Sequence, residues 1–256
     1  MSTPVGLSRV RVDYPHSGRV LDLEELELEP ARITVVAGPS GSGKSTLGHA
    51  LSGLLPFRGA RARGEAFFAA GRVPIGARRP WQGVRGRAVR WIPQDPAGAF
   101  TPTRPVLPQM LEGTNPSPER EARLARLLKA LGLPAAEELR RRCPFELSGG
   151  MLQRAALVSA FLPAPELVVA DEPSSFLDPP RTLTLARIVT ALARDAGSAV
   201  LWITHDLRLA AAVADRVVLL EEGKVVEDGL PGPVLVPTGE SRYALVRASA
   251  RMALPL

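Results

Sequence analysis

The sequence predicts an α/β protein with a mostly parallel β-sheet and a helical insertion. Apolar runs of four or five residues alternate along the chain with longer segments whose apolar residues have helical spacing. Such runs are too short for isolated helices and suit strands that are buried on both faces. Alternating strands and helices are typical of a parallel sheet. The predicted strands are Ile33–Ala37, Leu167–Ala170, Val200–Ile203 and Val217–Leu220.

Helices are predicted between these strands and in the middle of the chain. Residues 95–158 contain no strand-like run and are interpreted as the helical insertion, entered through an irregular Pro-rich connection at Pro96–Pro108. The segment Asn115–Pro118 is a start signal for one helix of this insertion. The predicted helices are Lys44–Leu55, about Pro118–Leu133, a helix after Ser148 and about Pro180–Ala196.

Composition excludes several classes of protein. The 256 residues form one large domain or two small ones, and 45% hydrophobic with 23% charged residues indicates a globular chain. Cys143 is the single cysteine, which excludes an intramolecular disulfide framework and a multi-cysteine metal site. No apolar run reaches the roughly 18 residues of a membrane-spanning helix. The N-terminus shows no apolar region of a signal peptide.

The basic charge has a compositional explanation. The net charge is +6, yet only three lysines (Lys44, Lys129 and Lys224) stand among 32 basic residues. The arginines are spread along a chain rich in Ala, Pro and Gly, as in proteins of GC-rich genomes. We therefore expect no nucleic-acid partner, although a basic protein can bind one.

A phosphate-binding loop follows the strand Ile33–Ala37. The segment matches G-x-x-x-x-G-K-[ST] between a strand and a helix, as this motif requires. Its glycines let backbone N–H groups face phosphate oxygens, and the next helix adds its positive N-terminal end. Lys44 is expected to reach the β- and γ-phosphates, and the Ser45 hydroxyl to bind Mg²⁺. The loop residues are Gly38, Pro39, Ser40, Gly41, Ser42, Gly43, Lys44, Ser45 and Thr46.

Two carboxylates follow the buried strand Leu167–Ala170. Asp171 and Glu172 are therefore expected at the carboxyl edge of the sheet, where open α/β sheets bind ligands. Asp171 is predicted to hold Mg²⁺. Glu172 is predicted to activate water as a general base, a role that typically contributes about 10²–10⁴-fold in rate.

Five further segments occur in the order of one known family. Together with the phosphate loop and the Asp-Glu pair, Leu147–Arg154 resembles the signature motif of ATP-binding cassette (ABC) ATPases. Gln94 resembles the Q-loop glutamine of that family, and the segment Ser175–Asp178 resembles its D-loop. His205 resembles its switch histidine, and Tyr14 its adenine-stacking aromatic residue.

This resemblance implies a fold and an activity. The fold would be a RecA-like P-loop NTPase with a mostly parallel core sheet, an N-terminal antiparallel β part and an inserted helical subdomain. Residues 1–256 would form one nucleotide-binding domain, with the core at about 1–94 and 159–256 and the signature subdomain at about 95–158. The activity would be hydrolysis of ATP to ADP and phosphate, with Mg²⁺.

The resemblance also implies a role for each matching residue. Two cassettes of this family pair head to tail, so that each signature motif contacts the ATP held by its partner. The implied catalytic residues are Glu172, His205, Gln94 and Lys44. The implied Mg²⁺ ligands are Ser45, Gln94 and Asp171. The implied contacts with the partner's ATP are Ser148, Gly149 and Gly150, and Asp178 would reach across the dimer seam.

Two segments are similar to those of peptide and nickel importers. They are Gln94-Asp95-Pro96 and Pro144–Ser148, in which Phe145 stands where His is usual. The likeness implies an ATPase peripheral to the cytoplasmic face of the cell membrane that drives uptake of peptides or nickel chelates. Its implied partners are two permease subunits, a second cassette (a heterodimer rather than a homodimer) and, indirectly, an extracytoplasmic substrate-binding protein. The alternatives are the ATPase of an exporter or lipid-extraction system and a soluble ABC ATPase without a transport role.

Overall fold

The computed structural model describes residues 3–175 and 177–235. Phe176 of the D-loop segment and residues 236–256, assigned above to the core, lie outside the described residues. Within the described ranges, no helix has the length and apolar character needed to cross a bilayer.

The described chain contains ten strands and eight α-helices. The strands are β1 (Val5–Tyr14), β2 (Gly18–Leu28), β3 (Ile33–Ala37), β4 (Arg61–Phe68), β5 (Gly71–Pro74), β6 (Val89–Ile92), β7 (Leu167–Asp171), β8 (Ala199–Ile203), β9 (Arg216–Glu221) and β10 (Lys224–Gly229). The helices are α1 (Lys44–Leu51), α2 (Val106–Met110), α3 (Pro118–Ala130), α4 (Ala136–Leu139), α5 (Gly149–Phe161), α6 (Pro179–Ala196), α7 (Leu207–Val213) and α8 (Pro231–Leu235).

Six strands form the central sheet in the order β10-β9-β3-β8-β7-β6. The five strands from β9 to β6 pair in parallel, and β10 joins β9 as an antiparallel hairpin. The predicted parallel sheet is thus confirmed, and its four predicted strands are β3, β7, β8 and β9. The sequence patterns did not predict β6, because Arg90 interrupts the apolar run of this short edge strand.

The central sheet is buried on both faces. Ile33 and Val35 of β3 contact the hydrophobic cluster that includes α5 and α6, whereas Val36 contacts a second cluster on the opposite face. Because successive side chains of a strand point to opposite faces, a strand covered on both sides needs apolar residues at every position. This explains the unbroken apolar runs in the sequence.

The second face is covered by an antiparallel sheet and by α1. The four strands of this sheet have the order β2-β1-β4-β5. Leu47 and Leu51 of α1 are fully buried in the cluster between the two sheets. The N-terminal antiparallel part that the resemblance implied is therefore present, and it packs against the helix that follows the phosphate loop.

Three predicted segments differ from the structure by more than one residue. Helix α1 ends at Leu51, not Leu55, because Gly53 has a φ of 65° and lies directly against the ring of Trp81. Helix α3 ends at Ala130, three residues before the predicted Leu133. The connection Pro96–Pro108 is partly helical, with a 3₁₀ turn at its start and α2 at its end.

His49 packs against the central sheet from α1. Its ring stacks on Trp91 of β6 with a centroid separation of 5.2 Å and an interplanar angle of 20°. Burial and, to a smaller extent, the positive charge of Arg58 together lower the pKa of His49 to about 4. His49 is therefore neutral near pH 7, where it acts as a packed aromatic ring.

We expect this histidine to destabilise the fold in acid. Its pKa is lower in the folded chain than the ordinary value of 6.5, so protonation between pH 6.5 and 4 favours the unfolded chain. His49→Phe keeps a ring against Trp91 but cannot titrate. Urea unfolding at pH 7 and pH 5 should show a smaller loss of stability in this variant than in the wild type. Equal losses of stability between pH 7 and pH 5 in the two proteins would show that protonation of His49 does not destabilise the fold.

Candidate active site

Four loops with predicted site residues meet at one edge of the central sheet. The strands β3, β8, β7 and β6 are successive neighbours and run in parallel. Their carboxyl ends therefore lie side by side. The residues delivered there are the phosphate loop after β3, His205 after β8, Asp171 and Glu172 at the end of β7, and Gln94 after β6.

The phosphate loop has a backbone that needs glycine. Gly43 has a φ of 101°, and a Cβ at this position would lie 2.6 Å from the carbonyl oxygen of Val20. Helix α1 begins at the next residue, so its first N–H groups face the loop. The Ser42 hydroxyl is buried without a hydrogen-bond partner within the described chain. A buried polar atom beside a helix N-terminus suits a phosphate ligand.

Lys44 is buried inside this loop. Its ammonium donates hydrogen bonds to the carbonyl oxygens of Gly38 (2.9 Å) and Pro39 (2.8 Å). Burial lowers the pKa of Lys44, and the negative charges of Glu172 and Asp171 partly offset this effect. A buried cation beside two carboxylates interacts with charge far more strongly than an exposed lysine does.

Asp171 and Ser45 place two oxygen donors together. The Ser45 hydroxyl donates to Asp171 Oδ1 over 3.4 Å. Burial raises the pKa of Asp171, the adjacent Glu172 raises it further, and Ser45 and Lys44 act in the opposite direction. A carboxylate and a hydroxyl are suitable ligands for Mg²⁺, which proteins commonly bind together with substrate phosphates. No group of three or more His, Cys, Asp or Glu side chains within the described ranges forms a metal site by itself.

Glu172 stands at a sharp change of backbone direction. Its φ of 46° is in the left-handed region, which is costly for a residue with a side chain. Its N–H donates to the carbonyl of Ile203 over 2.9 Å, and its Oε1 lies 3.2 Å from His205 Nδ1. The parallel register that sets Asp171 opposite Ile203 brings this pair together. The sequence motifs assigned a role to each residue but predicted no contact between them.

Gln94 lies beside the signature segment. It lines a cavity of about 690 Å³ that also includes Gly149, Gly150 and Gln153. No hydrogen bond joins Gln94 to Ser45 or Asp171 within the part of the chain described. Of the three predicted Mg²⁺ ligands, the structure brings together Ser45 and Asp171 only.

The signature segment presents an exposed helix N-terminus. Ser148 caps α5 by accepting a hydrogen bond from the Met151 N–H over 3.2 Å. Ser148, Gly149 and Gly150 are all exposed. Asp178 caps α6 in the same way, accepting from the Arg181 N–H over 2.9 Å.

Tyr14 lines a second, open cavity of about 800 Å³ next to the phosphate loop. Gly41 of the loop contributes to the same wall. Arg19 and Glu222 also line it and were not predicted as site residues. They come from β2 and the β9–β10 turn, and no motif in the sequence connects those segments with Tyr14.

Comparison with known proteins gives consistent results. Residues 21–175 match the family model described as ABC transporter. The probable D,D-dipeptide transport ATP-binding protein DdpD of Escherichia coli K12 is 35% identical over 248 residues, which are 92% of this chain and 75% of that protein. The nickel import ATP-binding protein NikD of Pseudomonas putida is 34% identical over 79% of this chain and 78% of its own.

A solved structure has the same fold. The dimeric, post-hydrolysis structure of the ATP-binding cassette MJ0796 with ADP and Pi superposes with a TM-score of 0.70. The match covers 89% of this chain and 98% of that one, at 23% identity. At this level of identity the likeness concerns the fold. It confirms the predicted cassette architecture.

We expect Lys44→Ala to weaken ATP binding by at least about tenfold, because a hydrogen bond to a charged group contributes about 1.5–3 kcal/mol. Titration with a fluorescent ATP analogue measures this effect. Lys129→Ala is the matched control, since Lys129 is an exposed lysine of α3. Equal affinities of the two variants for the ATP analogue would show that Lys44 does not contribute to ATP binding.

Proposed function

The chain belongs to the ABC transporter family, and from this premise we propose that it is the ATP-hydrolysing subunit of an importer for peptides or nickel chelates. One observation supports the ATPase activity most directly. Lys44, Asp171, Glu172 and His205 converge on one edge of the sheet, with Glu172 and His205 in hydrogen-bond contact. They come from three strand ends: Lys44 follows β3, His205 follows β8, and the pair Asp171 and Glu172 lies at the end of β7.

The proposed chemistry assigns one task to each side chain. Lys44 and the loop N–H groups bind the β- and γ-phosphates. Ser45 and Asp171 would hold Mg²⁺, with Gln94 as a further proposed ligand, and the bound ion would neutralise charge on the phosphates. Glu172 accepts a proton from water as the water oxygen attacks the γ-phosphorus, and the bond to the bridging oxygen breaks to release ADP. His205 fixes one carboxylate oxygen of Glu172 and the reacting γ-phosphate.

A second cassette completes the proposed site. The exposed N-terminus of α5, with Ser148, Gly149 and Gly150, would donate to the γ-phosphate bound by the partner. Asp178 would meet the partner across the seam, and Tyr14 would stack on adenine. We favour a heterodimer of two related cassettes. Each chain would act as one domain, with the core at about 1–94 and 159–256 and the signature subdomain at about 95–158.

The importer assignment rests on two kinds of support. The segment Gln94-Asp95-Pro96 resembles those of peptide and nickel importers, and two relatives are named for dipeptide transport and nickel import. We propose that the chain is peripheral to the cytoplasmic face of the membrane. It would act with two permease subunits and indirectly with an extracytoplasmic substrate-binding protein.

A basic cleft is the proposed docking site for a permease subunit. Its volume is about 550 Å³, and it lies between the end of β6 and the helical insertion. Trp91, three residues before Gln94, forms part of its wall. An acidic cytoplasmic segment of the permease would complement this charge. The charged residues that line the cleft are Arg58, Arg85, Arg90, Arg104 and Glu112.

Glu172→Gln tests the catalytic assignment. The amide cannot accept the proton from water, so turnover should fall by about 10²–10⁴-fold. ATP affinity should persist, because the phosphate loop is unchanged, and ATP should trap a dimer detectable by size-exclusion chromatography. Glu137→Gln, on the exposed surface of α4, is the matched control. Unchanged phosphate release by Glu172→Gln would exclude Glu172 as the base.

Arg104→Glu tests the docking cleft. Arg104 pairs with Glu112 at the cleft, and its side chain is 52% exposed. Arg140 forms a similar pair with Glu137 on α4 and is 59% exposed, so Arg140→Glu is the control. Charge reversal in the cleft should abolish co-purification of permease subunits from solubilised membranes and leave ATP binding intact. Co-purification equal to that of the control would place the permease elsewhere.

A further inference from the structure

A tight turn holds the proposed base. It runs from Glu172 to Ser175 and begins where β7 ends. The Ser175 N–H donates to the carbonyl oxygen of Glu172 over 3.1 Å, which closes the turn. The Glu172 N–H is held by Ile203 of the neighbouring strand. The backbone of Glu172 is therefore fixed from both sides, and this keeps its left-handed conformation in place.

The Ser175 hydroxyl contacts the Glu172 side chain. Its Oγ lies 3.0 Å from Glu172 Oε2 and 2.8 Å from the Glu172 carbonyl oxygen. The hydroxyl has a single proton for these two acceptors, and a hydrogen bond to the charged carboxylate is the stronger of the two.

Both carboxylate oxygens of Glu172 therefore have a partner. His205 Nδ1 lies against Oε1, and Ser175 Oγ lies against Oε2. A glutamate side chain has several rotatable bonds, and orienting it in the reaction costs rate unless its neighbours have already done so. Two partners on opposite oxygens fix both the position and the plane of the carboxylate.

We propose that Ser175 is a positioning residue that orients Glu172 for proton abstraction from water. The proton passes from water to Glu172, and Ser175 neither gains nor loses one. This inference rests on the proposed ATPase function. Since Ser175 makes no hydrogen bond to the phosphate loop within the described residues, its loss should slow turnover and leave ATP binding unchanged.

Ser175→Ala tests the proposal without removing the turn. The backbone hydrogen bonds remain, and Gln153 of α5 also holds the turn by donating to the Pro173 carbonyl over 3.1 Å. We expect kcat to fall about tenfold with KM for ATP unchanged, as for loss of one hydrogen bond to a charged group. Ser175→Thr retains the hydroxyl and should restore kcat. The matched control is Ser174→Ala, because the Ser174 side chain makes no hydrogen bond within the described residues.

Three results would overturn the proposal. The first is an unchanged kcat in Ser175→Ala. The second is a rise in the KM for ATP of this variant that is as large as the fall in its kcat. The third is a Ser175→Thr variant as slow as the alanine variant. Circular dichroism and thermal melting verify that each variant is folded. If Ser175→Ala is fully active and Glu172→Gln is inactive, only the role of Ser175 is rejected and Glu172 remains the assigned base. A fully active Glu172→Gln would reject the assigned base and the role of Ser175 with it.

Discussion

Parallel pairing of β3, β8, β7 and β6 is the constraint on which the rest of this structure depends. Strands that run in the same direction end at the same edge, so segments far apart in sequence meet there. The phosphate loop and His205 are separated by about 160 residues of chain, yet they follow adjacent strands. Burial of both sheet faces keeps the strands in register and thereby fixes the separation of the site residues.

Burial also determines the electrostatics of this edge. Lys44 is buried and Asp171 is partly buried, and this burial lowers the pKa of Lys44 and raises the pKa of Asp171. The opposite charges of Lys44 and Asp171 counteract these shifts, whereas the charge of Glu172 opposes the shift of Lys44 and adds to that of Asp171. Charges in such an environment are screened less by water and act strongly on a bound polyphosphate. The same burial that stabilises the sheet thus prepares the site for an anionic ligand.

Two surfaces carry the contacts proposed for partner proteins. The N-terminus of α5 is capped by Ser148 but otherwise exposed. The basic cleft is lined by Trp91 and Pro93, and the next residue, Gln94, lines the cavity beside the signature helix. The segment Trp91–Gln94 therefore contributes both to the surface proposed for the permease and to that cavity. This position suits a residue that connects docking with catalysis.

The sequence by itself determined the fold class, the phosphate loop and the identity of the acidic pair. These features depend on local patterns: apolar runs for doubly covered strands, glycines for the loop, and a capping serine at the start of α5.

Only the tertiary structure decided which of these residues touch. The contact of Glu172 with His205, the stacking of His49 on Trp91 and the position of Gln94 near α5 depend on strand register and on how helices pack. The Ser175 hydroxyl illustrates the same limit at short range, because it bonds to Glu172 in a turn whose left-handed backbone at Glu172 was not predicted from the sequence. Local sequence sets the conformation of a segment, whereas distances between side chains of different segments are set by the packed core as a whole.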